Sequence, residues 1–319
     1  MEHQVNSDDF DLLDTLASLY DEPYADSSAI PTYRVCQLAR QRVPVALSGD
    51  GGDEMFAGYR RYRWHMNEER LRSVLPLGMR RPLFGLLGRL YPKADWAPRL
   101  FRAQTTFETL ARDSVAAYLH LVSICNAEQR QAMFSPALQQ QLQGYSVESV
   151  FTGHAANCTS DDPLSLIQYL DMKTYLVGDI LTKVDRASMA HGLEVRVPLL
   201  DHKTAEWSAR LPRNQKLRGR EGKFLLKKAF EPLLPRDVLY RPKMGFGVPL
   251  ANWFRGPLKE RLRQDLLESG LAKTNLFNQE YLERLVKEHQ SGLRDHSAPL
   301  WTLLMFQACT RDDDFFVTG

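Results

Sequence analysis

The sequence predicts an α/β fold of which this chain carries mostly the helical part. A short apolar run at 43–47, Val-Pro-Val-Ala-Leu, stops abruptly at Ser48 and Gly49. Because the run lacks period-two alternation, it is typical of a buried strand in a parallel sheet. From about residue 60 onward the periodicity is almost wholly helical, so this is the only convincing strand. Since one strand cannot form a sheet, we expect the chain to be the latter part of an α/β domain.

The remaining elements follow from apolar spacing along the chain. Residues 8–19 space apolar side chains three and four apart with acids in the first turn, which predicts an amphipathic helix beginning at Ser7 or Asp8. A turn-rich segment bracketed by prolines follows, and residues 32–42 predict a second helix before the strand. Later helices are predicted over 106–124, 127–142, 163–190, 203–210, 221–231, 255–267, 278–290 and 298–310.

Composition excludes several classes of protein. The 319 residues are 44% hydrophobic, which is enough to build a core and excludes a disordered chain. Lys and Arg total 41 against 39 Asp and Glu, and a net charge of +2 argues against a globally basic nucleic-acid binder. The four cysteines lie far apart without a CxxC pair, which argues against a zinc ribbon or a disulfide framework and fits a reducing cytosol.

The sequence shows no signal for export or membrane insertion. Its first residues are acidic where a signal peptide would be basic and then apolar. The apolar stretches are far shorter than the roughly 18 residues that a spanning helix needs. We therefore expect a soluble, cytoplasmic protein with no membrane span and no nucleic-acid partner.

A glycine-rich, acidic segment follows the predicted strand directly: Ser48-Gly49-Asp50-Gly51-Gly52-Asp53-Glu54, here named the acidic loop. Its glycines permit positive φ and let a ligand approach the backbone. In α/β sheets, ligands bind beyond the carboxyl ends of strands. Three carboxylates this close repel one another unless a cation or a proton separates them, which indicates Mg²⁺ carried by a polyphosphate. The alternative is a tight surface turn with solvated acids.

The loop lies in a longer stretch, LSGDGGDEMFAGYRRY at 47–62, that resembles a signature of the glutamine-hydrolysing asparagine synthetase family. Three further stretches agree in order: DILTKVDRASMAHGLEVRVPLLDH at 179–202, RGREGKFLLKKAFEPLLP at 218–235 and RPKMGFGVPLANWF at 241–254. The resemblance implies a synthetase domain of the ATP-pyrophosphatase type, which is adenine nucleotide α-hydrolase-like. It also implies a small-molecule substrate, aspartate, with ATP and Mg²⁺ as cofactors and β-aspartyl-AMP as intermediate. Ammonia, from glutamine through a glutaminase domain missing here, would then displace AMP to give asparagine.

The resemblance also implies roles for individual residues. The nucleotide-binding positions it implies are Ser48, Gly49, Gly51 and Gly52. Asp50 corresponds to an acidic residue tied to the acyl-adenylate, and its physical role would be that of a general base toward the attacking amine. Asp53 would bind Mg²⁺ with support from Glu54, and Lys243 would neutralise phosphate charge during adenylation. The alternatives are that Asp53 and Glu54 only open a helix at its positive end, and that Lys243 is an ordinary surface lysine.

A further group of three lysines is formed by Lys223, Lys227 and Lys228, for which the alternatives are a solvated helix face and a catalytic role. Their spacing favours a solvated helix face.

Two parts of the family pattern are missing from this sequence. Position 2 is Glu where the family has its catalytic cysteine, and no SGGxDS stretch is present to grip the ATP pyrophosphate. We therefore expect the C-terminal part of a longer enzyme or a truncated gene product, a single asparagine-synthase-type domain over 1–319. Residues 1–60 would be the remnant of the nucleotide-binding sheet and 61–319 the helical part. We also expect an open, apolar strand edge near residues 43–49, and no ATP–pyrophosphate exchange by the chain alone.

Other interpretations remain open at this point. Residues 60–102 hold eleven Lys/Arg and three acids, a density that suits an acidic polysaccharide, a membrane surface or another anionic partner. An amidotransferase that acts on a sugar acid or a polymer-linked carboxylate would share the same motifs. The arginines could instead cap helices and meet acids elsewhere. A non-catalytic paralogue serving as a scaffold or in a homodimer is a further alternative.

Overall fold

Helices make up most of the protein. The computed structural model describes residues 9–91, 103–241, 245 and 247–311. The α-helices before residue 190 are α1 Leu12–Leu19, α2 Ala29–Arg40, α3 Gly52–Met55, α4 Arg60–Val74, α5 Leu77–Leu90, α6 Gln104–Leu110, α7 Ser114–Val122, α8 Ala127–Met133, α9 Pro136–Gln141, α10 Val147–Ala156, α11 Pro163–Lys173 and α12 Thr182–Met189. The later ones are α13 His202–Arg210, α14 Arg213–Lys216, α15 Phe224–Phe230, α16 Arg236–Leu239, α17 Leu250–Arg255, α18 Lys259–Arg263, α19 Gly270–Thr274, α20 Gln279–Gln290 and α21 Ser297–Cys309. Short 3₁₀ segments occupy Asp9–Asp11 and Pro198–Leu200, and π segments occupy Leu176–Leu181 and Gln264–Glu268.

Four short strands form two small sheets within the described ranges. Strand β1, Val45–Leu47, pairs in parallel with β2, Glu194–Arg196. Strands β3, Leu217–Arg218, and β4, Glu221–Gly222, form an antiparallel pair. The prediction of a single strand was therefore wrong. Strand β2 escapes sequence analysis because its central valine lies between two exposed charged residues, which leaves no apolar run to detect.

In the described part of the chain, no helix has both the length and the apolar character to cross a bilayer.

The first two predicted helices are present, but each begins at a residue other than the predicted one. The segment predicted over 8–19 is a 3₁₀ turn followed by α1, and the predicted caps Ser7 and Asp8 lie outside the described residues. Helix α2 begins at Ala29, three residues before the predicted start. Pro31 lies in its first turn, where proline costs no helical hydrogen bond.

Several helices predicted as long are divided at identifiable residues. Asp113 caps α7 by accepting from the backbone N–H of Ala116, which separates α7 from α6. Pro136 begins α9 after α8 ends, and Thr174 leaves helical geometry after α11. In contrast, the helices predicted over 203–210, 278–290 and 298–310 are confirmed to within one residue.

The largest core lies among α1, α2 and the C-terminal helices α17–α21, with Trp253 and Trp301 buried inside it and Phe306 packed against it. A second core joins α4, α7, α10 and α11 around Tyr62 and Tyr118. A small third cluster, which includes Cys36, packs beside the β1–β2 sheet. No cysteine is in a disulfide, as predicted.

The end of β1 exposes apolar surface. Leu47 is 75% exposed, and Val43, just before the strand, is also exposed. Among the described residues β1 has a partner strand on one side only. The predicted apolar, open strand edge near 43–49 is thus confirmed for the part of the chain that the structure describes.

Candidate functional site

The acidic loop leaves the sheet at the carboxyl end of β1. The Ser48 backbone N–H donates to the carbonyl oxygen of Arg196 at 2.8 Å, which continues the hydrogen bonding between β1 and β2 by one residue. The Ser48 hydroxyl then donates to Oδ2 of Asp50 at 2.5 Å. This bond fixes the Asp50 carboxylate relative to the strand end, which is where α/β sheets bind ligands.

Gly51 makes the sharp turn from the loop into α3. Its φ is +79°, and a Cβ on this residue would lie 2.1 Å from the Leu200 side chain, so both conformation and space require glycine. Helix α3 consequently starts at Gly52. Asp53 and Glu54 therefore lie in its first turn.

Asp53 forms an ion pair with a lysine that is distant in sequence. Lys223 Nζ lies 3.2 Å from Oδ1 of Asp53. The Lys223 backbone adopts a φ of +56°, and its N–H donates to the Phe56 carbonyl at 2.8 Å. The assignment of Lys223 to a solvated helix face was therefore wrong, because it precedes α15 and turns toward the acidic loop. Lys227 and Lys228 pair with Glu221 and Glu231 on their own segment, away from Asp53.

Glu54 faces the interior rather than the solvent. Its exposed fraction is 1%, and its Oε1 accepts a hydrogen bond from the Tyr59 hydroxyl at 2.6 Å. Burial raises the pKa of the Glu54 carboxyl above its usual range, while the Tyr59 hydrogen bond opposes that rise. Glu54 thus lies on the buried side of the acidic loop, where its hydrogen bond with Tyr59 holds the loop in place.

A buried polar pair holds the C-terminal end of α3. The Gln168 amide donates to the carbonyl oxygens of Glu54 and Met55, the second at 3.2 Å. Its own oxygen accepts from the buried Lys216 ammonium at 3.2 Å. Burial lowers the pKa of Lys216. Through these bonds α11 and α14 anchor the helix that carries Asp53.

A second polar cluster, formed by Asp26, Ser28, Asp179 and Lys183 and named here the lysine cluster, lies where α2 meets α12. Lys183 Nζ is 2.5 Å from Oδ2 of Asp26 and 3.7 Å from Oδ1 of Asp179. Burial, followed by the charge of Asp26, raises the pKa of Asp179 to about 6. Sequence analysis did not single out these residues, although the i,i+4 spacing of Asp179 and Lys183 was a signal that could have found them.

An arginine stacks between two tyrosines beside the acidic loop. The Arg61 guanidinium lies 3.8 Å from the ring centroid of Tyr59 and 4.5 Å from that of Tyr175. Tyr59 in turn donates a hydrogen bond to Glu54 of the acidic loop. Arg61 is therefore linked to the acidic loop through Tyr59.

The structure brings the predicted residues 48–54 together in one loop, whereas Lys243 lies outside the described residues. Within the described ranges, no group of three or more His, Cys, Asp and Glu side chains is arranged to hold a metal ion. Asp53 therefore offers one carboxylate rather than a complete protein cage. Such a donor set fits Mg²⁺ that arrives with most of its ligands from phosphate and water.

The chain is similar in sequence to known proteins. A family model described as asparagine synthase matches residues 1–311. A Mycobacterium tuberculosis protein assigned by name to the glutamine-hydrolysing asparagine synthetases is 34% identical over 305 residues, which are 95% of this chain and 44% of that protein. The Bacillus subtilis asparagine synthetase 1 (glutamine-hydrolysing) is 31% identical over 293 residues, 90% of this chain and 43% of its own length. The chain thus spans less than half the length of these curated relatives.

Proposed function

The chain belongs to the asparagine synthase family, and we propose that it is the synthetase part of a ligase that uses ATP to convert a carboxylate into an amide. The leading acceptor is the side chain of aspartate, activated as β-aspartyl-AMP. Ammonia, released from glutamine by another part of the complete protein, then displaces AMP. This proposal rests on the family and on the chemistry of the acidic loop.

In the adenylation step, an acceptor carboxylate oxygen attacks the α-phosphorus of ATP and pyrophosphate leaves. The protein's main task is to position the reactants and neutralise the charge that develops on the phosphates. Asp53 would hold Mg²⁺ on the phosphates, with Ser48 and the loop glycines near the nucleotide. Lys223, which lies beside Asp53, would contribute its ammonium group toward a phosphate oxygen of the bound nucleotide.

In the amidation step, ammonia attacks the activated carbonyl carbon and AMP leaves. The attacking nitrogen must lose a proton, and Asp50 is the proposed base. The Ser48 hydroxyl holds its carboxylate at 2.5 Å. Glu54, buried against Tyr59, would act indirectly by keeping the first turn of α3 in place. Lys243 keeps its proposed role toward the phosphates.

Within residues 60–91, the part of the basic stretch that the structure describes, less charge is free than the composition implies. Arg61, Arg72 and Arg80 turn inward, the first two to acids and the third to backbone carbonyls. This arrangement favours the interpretation in which the arginines stabilise the fold. Free aspartate therefore remains the leading acceptor over a polymer-linked carboxylate.

The observation that carries the proposal is the Asp53–Lys223 pair at the strand end. We would test it with Asp53→Asn in the longest natural form of the protein, measuring aspartate-dependent pyrophosphate release at saturating Mg-ATP. A loss of about a hundredfold or more is expected when a charged group that stabilises the transition state is neutralised. Asp237→Asn, at an exposed position on α16, is the matched control.

Near-normal release by the Asp53→Asn variant would overturn the metal assignment. Absence of release from the unmodified protein with every carboxylate tried would favour the non-catalytic paralogue instead.

A further inference from the structure

A cavity of about 230 Å³ lies between helices α3, α11 and α13. Its lining includes the apolar residues Met55, Met172 and Ala205 and the polar residues Ser165, Gln168 and Lys216. We name it the Lys216 cavity. Residues 157–160 also line it, and most of them are exposed, so the cavity opens to solvent there. It is smaller than the roughly 300 Å³ at which pockets for drug-sized ligands begin, so it suits a small molecule.

Lys216 brings a positive charge to the wall of this cavity. The residue is 4% exposed, and its Nζ donates to Oε1 of Gln168 at 3.2 Å. Among the described residues, no carboxylate forms an ion pair with it. Since an ammonium group has three donors, two are left without a protein partner in the described part of the chain. A buried charge in this condition is costly unless a counter-charge or further hydrogen bonds reach it.

The acids nearest to the cavity are engaged elsewhere. Glu54 lines the cavity, but its carboxylate accepts from the Tyr59 hydroxyl at 2.6 Å. Asp162 caps α11 by accepting from the Ser165 backbone N–H at 3.0 Å. Burial lowers the pKa of Lys216, and the charge of Asp162 opposes that change without forming an ion pair. An anion that entered the cavity would therefore supply the counter-charge that Lys216 lacks.

We propose that the Lys216 cavity binds a small monocarboxylate with a short alkyl chain, whose carboxylate pairs with Lys216 and whose chain lies against Met55 and Met172. One ammonium group balances one carboxylate, whereas a phosphate dianion would leave a second negative charge buried without a partner. The two methionines supply apolar, adaptable surface for the alkyl chain.

The same site is connected to α3 through Gln168. The amide of Gln168 donates to the Met55 carbonyl at 3.2 Å, and its oxygen accepts from Lys216 at 3.2 Å. A carboxylate that draws on the Lys216 ammonium therefore acts on the end of α3, the helix that also carries Asp53.

The test is isothermal titration of the 319-residue chain with butyrate, and with butyramide as an uncharged probe of similar size. Butyramide should bind about tenfold more weakly than butyrate, because hydrogen bonds to an ionised group are the stronger ones. Lys216→Met should weaken butyrate binding about tenfold or more for the same reason. Lys203→Met, at an exposed position on α13, is the matched control and should bind butyrate like the unmodified chain.

Alkylation of cysteines locates the bound probe without any substitution. Cys158 lines the Lys216 cavity and is half-buried, whereas Cys309 ends α21 and is not part of its lining. Butyrate should slow the reaction of Cys158 with iodoacetamide and leave that of Cys309 unchanged, as measured by peptide mass spectrometry. Circular dichroism checks the folding of each variant, and the alkylation result decides if Lys216→Met does not fold.

Butyrate binding that requires Lys216 and protects Cys158 supports the proposal. It is overturned if the folded unmodified chain binds no butyrate, if butyramide binds equally well, or if Lys216→Met binds like Lys203→Met. Unchanged alkylation of Cys158 at saturating butyrate would also overturn it, because the probe would then bind elsewhere. None of these measurements uses ATP, so the cavity is tested independently of the proposed ligase activity.

Discussion

The ion pair between Lys223 and Asp53 lies against Gly58, at a position where any Cβ atom would collide with both side chains. A Cβ on Gly58 would lie 2.0 Å from Oδ1 of Asp53 and 2.4 Å from Cε of Lys223. The ion pair, 170 positions apart in sequence, therefore depends on a third residue that contributes no side chain. Both displaced atoms belong to side chains, so a methyl group at Gly58 would move the functional groups more than the backbone.

Gly58→Ala is expected to impair the activity more than the stability. The methyl group should push Asp53 and Lys223 apart, lowering Mg-ATP-dependent pyrophosphate release about tenfold or more through misplacement of these groups. The melting temperature should fall only slightly. Gly153→Ala in α10 is the matched control, because its Cβ would meet open space. It should retain activity and gain up to about 1 kcal/mol of stability. Equal activity of the two variants would contradict the role assigned to this contact.

Gln168→Leu should destabilise the fold by about 2–4 kcal/mol, because it leaves two carbonyl oxygens of α3 and the buried Lys216 ammonium without their partner. Urea unfolding measures the change. Gln139→Leu serves as control, since Gln139 also donates to two carbonyl oxygens but at an exposed site. Adding Lys216→Met to Gln168→Leu should recover part of the lost stability, because it removes the unpaired charge. A double variant less stable than Gln168→Leu would show that Lys216 has another essential partner.

Asp171→Asn should cost about 3–5 kcal/mol of unfolding free energy, because it leaves the Arg61 guanidinium without its buried counter-charge. Oδ2 of Asp171 accepts from Arg61 at 2.7 Å and from the Tyr62 and Tyr118 hydroxyls at 2.6 Å each. Glu268→Gln breaks the exposed pair with Arg263 and should change stability by less than about 1 kcal/mol. Comparable losses of unfolding free energy in the two variants would contradict the expectation that the buried pair stabilises the fold more than the exposed pair.

The pH dependence of stability should report on Asp179. Its folded pKa of about 6 exceeds its ordinary value of 3.8, so the folded state holds this proton more tightly than the unfolded state does. Its contribution to stability is therefore complete below about pH 4 and is lost as the pH rises through 6. Asp179→Asn should match the unmodified chain near pH 4 and exceed it by about 3 kcal/mol at pH 7. Thermal unfolding across this range measures the difference, and a gap that widens toward acid would contradict the sign.

Sequence analysis located the loop but not the whole site. Residues 48–54 were identifiable because an apolar run, three glycines and three acids lie side by side. Lys223 was not identifiable in this way. Its helical spacing to Lys227 predicts that the two lysines share a helix face, but its φ of +56° places it outside the helix, one residue before α15. In the lysine cluster, the i,i+4 spacing could have indicated the pair of Asp179 and Lys183. No local pattern reports the contact of Lys183 with Asp26, because the two residues are more than 150 positions apart.

The same limit applies to the fold. Apolar periodicity found α13, α20 and α21, whose amphipathic or fully apolar patterns run uninterrupted. It did not find the breaks at Asp113 and Thr174, since a cap or a distorted turn changes the backbone without interrupting the apolar spacing.

The pairing of β1 with β2 also constrains how the protein is made. The partner of Val45 is Glu194, so the second strand leaves the ribosome roughly 150 residues after the first. At the usual 5–20 residues per second, β1 waits about 7–30 s for that partner during synthesis. Throughout this interval β1, with the exposed Leu47, lacks its pairing with β2, and apolar strands with an unpaired edge aggregate in nascent chains. Slower translation would lengthen this exposure, so we expect the yield of folded protein to depend on elongation rate and on chaperones that cover the strand until residue 196 has emerged.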